Sequence, residues 1–341
     1  MSKLKMGLFG VGHLGKIHLK CLLATSCWDV AGFYDPDDRR AEAVVEQFGI
    51  RRFDDMDALL AASDAADIVT PTPTHYDLAS RALRAGKHVF VEKPLTETVA
   101  QGRKLLQLSR ETGLKVQVGH VERFNPAYLA LKDMELNPMF IEVHRLAGFN
   151  PRGADVSVIL DLMIHDLDLV LHLAQSPVAQ FSAGGVAVLS DTLDIANARI
   201  EFANGCVANL TASRMSLKQM RKMRIFQKDH YISLDFLEKN AQIVRLYTKD
   251  APDLPDAADL MEFDTPGGQK WMRAYMPEIE PVNAIQMELE KFYACIAQDT
   301  QPAVPISDGL AALELAHRIL AKIRKKQQEY DKRQRLIRMG E

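Results

Sequence analysis

The sequence predicts two domains: an α/β domain with a parallel, doubly wound sheet, and an α+β domain with a large, mainly antiparallel sheet. Three observations carry this. From Lys5 to Gly119, short apolar runs alternate with segments of helical spacing. Between the first run and the first helix stand Gly10, Gly12 and Gly15, spaced G-x-G-x-x-G. Beyond Val178, strand-like runs follow one another without helices, and Asn204-Gly205 is a strong hairpin signal. Alternation implies parallel strands joined by crossover helices, whereas direct succession implies antiparallel ones. A chain of 341 residues suits about two domains, expected here at 1–122 and 123–341.

The glycine run has the context that a dinucleotide site requires. An apolar strand precedes it, a helix follows, and Asp35 closes the next apolar run about 20 residues on. Gly10 permits the tight turn, Gly12 lets a pyrophosphate approach the backbone, and Gly15 lets the helix pack on the strand. The helix N-terminus, reached through Val11, His13 and Leu14, offers free N–H groups to the phosphates. The Asp35 carboxylate accepts from a ribose diol and repels a 2′-phosphate, so NAD is expected rather than NADP.

Further elements follow in order. Asp37–Phe48 has helical spacing and stops at Gly49, and Met56–Ala61 reads as a short helix. Ala66–Thr70 is a buried strand ending in Pro71-Thr72-Pro73-Thr74-His75, where two prolines exclude a helix and force an extended turn. Thr74 is expected to cap a helix from His75 to Ala85. Lys87–Val91 is the next strand, and Glu92-Lys93-Pro94 follows at once. Thr96 and Glu97 open a helix to Thr112, and Leu114–Gly119 is a further strand. Thr70, Pro71, Thr72, His75, Glu92 and Lys93 thus fall at strand ends, where open α/β sheets bind ligands.

The pattern changes near His120. Arg123–Pro126 opens a helix or turn, Met139–Leu146 reads as a strand, and Val158–Ala174 as one apolar helix. Strands are expected at Val178–Val188, Ile195–Phe202, Cys206–Ser213, Met223–Gln227, Tyr231–Phe236 and Ala241–Tyr247. A polar loop is expected at Asp250–Pro281, with helices at Ala284–Ala297 and Gly309–Lys325 and a charged tail.

Composition narrows the function classes. Hydrophobic residues make up 47% and charged residues 26%, which suits a folded chain with a large core. A net charge of −3 gives no electrostatic footprint for nucleic acid. Cys21, Cys27, Cys206 and Cys295 form no C-x-x-C pair, so neither a metal site nor a disulfide framework is expected, and a reducing cytoplasm fits. No leader precedes the first strand and no apolar run approaches a membrane span, so no membrane association is expected.

Four stretches carry a family resemblance: Gly10–Gly15, Pro71–His75, Gly86–Pro94 and Asp161-Leu162-Met163-Ile164-His165. Together the chain resembles the glucose–fructose oxidoreductase/inositol dehydrogenase/MocA (Gfo/Idh/MocA) family of NAD(P)-dependent sugar dehydrogenases, over nearly its whole length. Gly119–Ala127, Leu160–Asp168, Ala212–Arg214 and Arg221–Phe226 are similar to members that oxidise the 3-hydroxyl of UDP-N-acetylglucosamine. The chain departs from many members at Ser157-Val158-Ile159-Leu160 and Met163, where those have glycines. The resemblance implies an enzyme with a Rossmann domain, a nucleotide-sugar substrate, and Arg123, Asn125 and Arg214 toward that substrate. A free polyol such as an inositol is the alternative substrate, and a non-catalytic NAD-binding sensor the alternative outside enzymology.

Oxidising a secondary alcohol needs a base for the hydroxyl proton and stabilisation of the developing alkoxide. Asp161 and His165, four residues apart, share one face of a helix. Histidine titrates near neutral pH and suits the base; Asp161 would orient its ring or bind the sugar hydroxyl. Lys93, at the sheet edge, would stabilise the alkoxide or relay the proton itself. Asp166 and Asp168 read as a solvated or capping face, and His13 and His18 as flanks of the cofactor site. Lys218, Arg221, Lys222 and Arg224 read as a solvated strand edge, with a diphosphate clamp as the alternative. Alternating apolar residues such as Ile195 and Ile200, or Val207 and Leu210, point to a sheet face left over for a homodimer or homotetramer.

Overall fold

The glycine turn is held between the first strand and first helix of a five-stranded sheet, seen in a computed structural model. The structure describes residues 3–150, 155–248, 250–251, 254–256, 259–266 and 268–339. The elements are β1 (Leu4–Phe9), α1 (His13–Ala24), β2 (Trp28–Tyr34), α2 (Asp38–Phe48), α3 (Met56–Ala61), β3 (Ala65–Ile68), α4 (His75–Arg84), β4 (His88–Glu92), α5 (Val99–Thr112) and β5 (Val116–Gly119). All neighbouring strands pair in parallel, in the order β2-β1-β3-β4-β5. Strands β3 and β5 are buried throughout, as parallel strands covered on both faces must be. The chain leaves β1 to one side for β2 and to the other for β3. That reversal is the topological switch point, where the crevice for a ligand opens at the strands' C-terminal ends.

Local chemistry moved two boundaries. Thr72–Thr74 forms a 3-10 turn rather than an extended one, because proline fits an N-terminal helical position. The Thr74 hydroxyl donates to Pro71 O (2.8 Å) and Thr70 Oγ1 (2.7 Å) and does not cap α4. Helix α5 starts at Val99, not Thr96, since Thr98 and Gln101 form a capping box.

The second sheet has nine strands. After a 3-10 turn at Val121–Phe124 come α6 (Pro126–Leu129), β6 (Phe140–Leu146), a π-helical turn (Ile159–Met163), α7 (Ile164–Ala174), β7 (Val178–Val186), β8 (Ile195–Phe202), β9 (Val207–Ser213), β10 (Met220–Phe226), β11 (His230–Asp235), β12 (Asn240–Tyr247), β13 (Met261–Thr265) and β14 (Gly268–Tyr275). Their order is β13-β14-β12-β11-β10-β6-β9-β8-β7, and among the described residues only β6 with β9 pairs in parallel. The β8–β9 hairpin turns at Asn204-Gly205, with Gly205 at φ 89°. Hairpin β13–β14 lies where a loop was expected; part of that stretch falls outside the described residues. Neither strand contains a buried residue, so there was no core-facing alternation to read.

Strand β10 is not an edge, as its basic residues suggested, but pairs with β6 and β11. Of the residues expected to leave a surplus apolar face, Ile200 and Leu210 are buried, while Ile195 and Val207 are half-buried on the other face, among Asn197, Arg199, Glu201, Asn209 and Thr211. Among the described residues, no helix is long and apolar enough to cross a membrane.

The expected division at 123–341 is corrected by the last two helices, α8 (Ala284–Ala297) and α9 (Ile306–Met339). The chain separates into Met1–Phe124 with Val282–Leu315, and Asn125–Pro281 with Ala316–Glu341. Leu289, Phe292 and Cys295 of α8 join Met6, Trp28 and Phe90 in one buried cluster of the first unit. Trp28 Nε1 donates to Leu289 O at 2.9 Å. The first sheet therefore takes part of its cover from the far end of the sequence.

Candidate functional site

In the first unit, the cofactor candidates gather at the C-terminal ends of β1–β4. Gly10 sits at φ 89°, and a Cβ there would stand 2.8 Å from Val69 O. A Cβ on Gly15 would stand 2.0 Å from Gly10 O, so these two glycines are demanded by the protein's own packing. At Gly12 a Cβ would meet nothing within 4 Å. The protein does not require that glycine, and the open approach at the start of α1 is what a pyrophosphate needs. Val11 is buried behind the turn, Leu14 is half-buried and His13 is exposed.

Asp35 is buried at the end of β2. Its Oδ2 accepts from Val11 N (2.9 Å) and its Oδ1 from Asp37 N (3.0 Å). Arg40, itself half-exposed, stands 3.3 Å from the same carboxylate. The acid thus locks the glycine turn to β2.

Thr70 and the exposed Pro71 lead from β3 into the 3-10 turn containing Thr72. His75 ties this loop to the next strand end. Its Nδ1 lies 2.9 Å from Pro94 O and its Nε2 2.8 Å from Thr70 O. Burial lowers its pKa, so the ring is neutral and donates to one carbonyl at a time. Glu92 is buried and accepts from the Lys93 amide at 3.2 Å. Lys93 is half-buried at the sheet edge.

In the second unit, Asp161 and His165 are both half-buried. Asp161 lies in the π-helical turn and His165 in the first turn of α7, not on one continuous α-helix as the spacing suggested. Ile159, Leu160 and Met163, where the chain departs from the glycines the resemblance implies, all lie in the π turn. Such turns recur at functional sites because they re-aim side chains. Asp166 is not solvated: Arg145 of β6 donates to it from Nε (2.9 Å) and Nη2 (2.8 Å), and both are buried. Asp168 is buried too.

The three substrate candidates are bonded to the protein. Arg123 Nη2 donates to Asp308 at 3.0 Å. Asn125 caps α6 by accepting from Ala127 N, and its amide donates to Phe236 O at 3.0 Å. Arg214 is buried, donates to Val156 O and lies 3.8 Å from Asp194. In the basic run, Arg224 pairs with Glu142 (2.9 Å) and Lys222 with Asp235 (3.2 Å).

Sequence reasoning missed a buried cluster of His18, Asp67, Glu92 and Glu288. Its signal was present. His18 shares the buried stripe of α1 with Gly15, Leu19 and Leu22, and Glu288 shares that of α8 with Leu289, Phe292 and Cys295. Charged groups in such stripes are rare unless partnered.

Residues 4–120 match the Gfo/Idh/MocA oxidoreductase family, NAD-binding Rossmann fold, and residues 146–232 match the family's C-terminal domain. A UDP-N-acetylglucosamine 3-dehydrogenase from Acidithiobacillus ferrooxidans is 40% identical over 260 residues, covering 76% of this chain and 82% of that protein. A solved structure of that dehydrogenase superposes with a TM-score of 0.84 at 34% identity, covering 95% of this chain and 98% of the other. An inositol 2-dehydrogenase from Rhizobium meliloti is 26% identical over 344 residues, covering 95% of this chain and 98% of that protein. With the glycine turn, the switch-point crevice and both family domains in place, the chain belongs to the Gfo/Idh/MocA family of NAD-binding oxidoreductases.

Proposed function

We propose that this enzyme oxidises the 3-hydroxyl of a UDP-N-acetylamino sugar such as UDP-N-acetylglucosamine. The observation that carries the reading is the 40% identity spread over 82% of the Acidithiobacillus ferrooxidans dehydrogenase. Gly10–Gly15 and Asp35 would hold NAD, which would supply the hydride acceptor. We favour NAD over NADP because Asp35 puts a carboxylate there; the adjacent Arg40 is occupied by Asp35 and Asp37. His165 removes the hydroxyl proton, Asp161 orients its ring or the sugar, and Lys93 stabilises the alkoxide. Arg123, Asn125 and Arg214 shape the substrate side through the segments they hold. The test is NADH formation over a set of UDP-sugars and free polyols. Turnover of UDP-N-acetylglucosamine with retained affinity for free UDP supports the reading.

A second reading, oxidation of a free inositol-type polyol, is favoured by the similarity to the Rhizobium meliloti dehydrogenase over 95% of this chain. It predicts turnover of inositols and no UDP binding. We also propose a cytoplasmic homodimer or homotetramer. Four free thiols fit a reducing compartment, and Val186, Val188 and Leu189 form an exposed apolar group beside the edge strand β7. A monomeric mass in sedimentation at micromolar concentration would defeat the oligomer.

A further inference from the structure

The chemistry above leaves unused the buried charges beneath the end of β4. His18 on α1, Asp67 on β3, Glu92 on β4 and Glu288 on α8 meet there, all within the first unit. His18 Nδ1 stands 3.0 Å from Asp67 Oδ2. Its Nε2 stands 3.2 Å from Glu92 Oε1, close enough for the charges to attract though off the hydrogen-bond axis. Gly119 makes room for this carboxylate, since a Cβ there would lie 2.6 Å from Glu92 Oε1. The Glu288 carboxyl is 0% exposed and makes no hydrogen bond, yet its nearest oxygen lies within 4.8 Å of the His18 and Glu92 atoms. Around it, Gln117 of β5 donates to the Glu288 carbonyl at 2.8 Å, and Cys21 of α1 adds a thiol that burial keeps protonated.

Ionised groups in dry space must nearly cancel. Burial lowers the His18 pKa, but the charge and hydrogen bond of Asp67, with the nearby charge of Glu92, raise it well above its ordinary value. His18 is therefore an imidazolium and balances one carboxylate. Burial raises the Glu92 pKa, but the His18 contact outweighs it and Lys93 adds a positive charge next door, so Glu92 stays ionised. Among the described residues, no further cation acts on the third carboxylate. Burial first, and then the Glu92 charge, raise Glu288 well above the ordinary range, so it keeps its proton.

We propose that Glu288 is a positioning residue for Lys93, acting through Glu92, whose carboxylate accepts the Lys93 amide. A neutral carboxyl can donate toward Glu92 across this spacing through one bridging water, where a second carboxylate would repel it. This rests on the reading of Lys93 as the group that stabilises the alkoxide.

The experiment compares Glu288→Gln, Glu288→Ala and Lys93→Met with wild type in turnover, NAD affinity by calorimetry, melting temperature from pH 5 to pH 9, and bound metal. Glu288 has a raised folded pKa, so its contribution to stability is full below the ordinary carboxylate range and declines as pH rises toward the folded value. Glu288→Gln, always neutral, should match wild type at pH 5, melt higher at pH 9, and keep turnover within about twofold. Glu288→Ala should lose about tenfold in kcat with little change in NAD affinity or substrate KM, an effect on the transition state rather than on binding. Normal kcat in Glu288→Ala with only a lower melting temperature would make the role structural and overturn the proposal. Stoichiometric divalent metal, with Glu288→Gln melting lower at every pH, would make Glu288 an ionised ligand and also overturn it. Normal turnover in Lys93→Met would place the failure in the reading of Lys93 itself, whereas loss there with normal Glu288→Ala confines it to Glu288.

Discussion

The residues proposed for the reaction stand on two kinds of backbone. Lys93 follows β4, whose register is fixed on both sides by β3 and β5. Asp161 and His165 ride on a π-helical turn and on the start of α7, which has no side-chain cap. A strand end inside a ladder has little freedom, because every backbone group upstream is paired. A π turn has only its few i→i+5 bonds, with no paired strand on either side, and gains from support outside it. Here Arg145 supplies it, gripping Asp166 one residue beyond His165. The contrast teaches that the Lys93 end is placed by regular sheet structure, whereas the segment that carries Asp161 and His165 is anchored in part by a buried ion pair.

The sharpest way to break this comparison is at the chemistry. His165→Asn and Lys93→Met should each lower turnover by about 10²–10⁴-fold. Calorimetry should find NAD affinity nearly unchanged in both. The double variant should lose less than the product, since both groups serve one developing charge. The pH–rate profile should lose one inflection in His165→Asn. Near-normal turnover in that variant alone would move the base role to Lys93.

Next in size is the support of α7. Arg145→Met leaves Asp166 buried without its cation, a loss of about 3–5 kcal/mol by analogy with other broken buried pairs. Denaturant unfolding measures it. If His165 depends on this pair, the folded fraction should also turn over slowly; a stability loss with normal turnover per folded molecule would detach the ion pair from the acid–base side.

A smaller effect is expected at Asp194, which is buried in the loop after β7. Burial would raise its pKa, but the amides of Val188, Leu189 and Ser190 and the Ser190 hydroxyl hold it down to about 2. A depressed carboxylate contributes stability that is full above its unfolded value and is lost as pH falls from about 4 toward 2. Asp194→Asn should therefore cost about 2 kcal/mol at neutral pH, and the difference from wild type should fade in acid. An unchanged difference at pH 2.5 would assign the loss to geometry instead.

The smallest effect sharpens the cofactor side. Gly12→Ala should leave the melting temperature unchanged, because the added Cβ meets no protein atom. It should still weaken NAD binding by about tenfold, about 1.4 kcal/mol. Equal NAD affinity would mean that the pyrophosphate does not pass over Gly12.

Where the sequence was legible, one element's own pattern determined the outcome. The glycine turn, the strand ends and Glu92-Lys93-Pro94 are short-range signals, and the structure has them at the switch-point edge. Helix α2 reads from its Asp37 cap to Gly49 at φ 65°. Three of the misreadings share a cause: each depended on a partner distant in sequence. Asp166 reads as solvated until Arg145, 21 residues away, is folded beside it. His18 reads as a flank until Asp67 and Glu92 arrive. Helix α8 reads as part of the second domain because its apolar stripe does not say which core it completes. The β13–β14 hairpin lacked buried residues, and burial is what writes a period into a strand.

The place of α8 has a consequence for how the chain is made. A ribosome delivers the five strands of the first sheet long before residues 282–315 emerge. At about 5–20 residues per second, Met6, Trp28 and Phe90 wait on the order of ten seconds or more for Leu289 and Phe292. During that interval the nascent first unit presents an uncovered apolar face while the whole second sheet is still being synthesised. Stalling or truncation between Phe124 and Val282 would release a chain whose dinucleotide fold is nearly complete in sequence but still sticky, and such a chain is a natural client for chaperones.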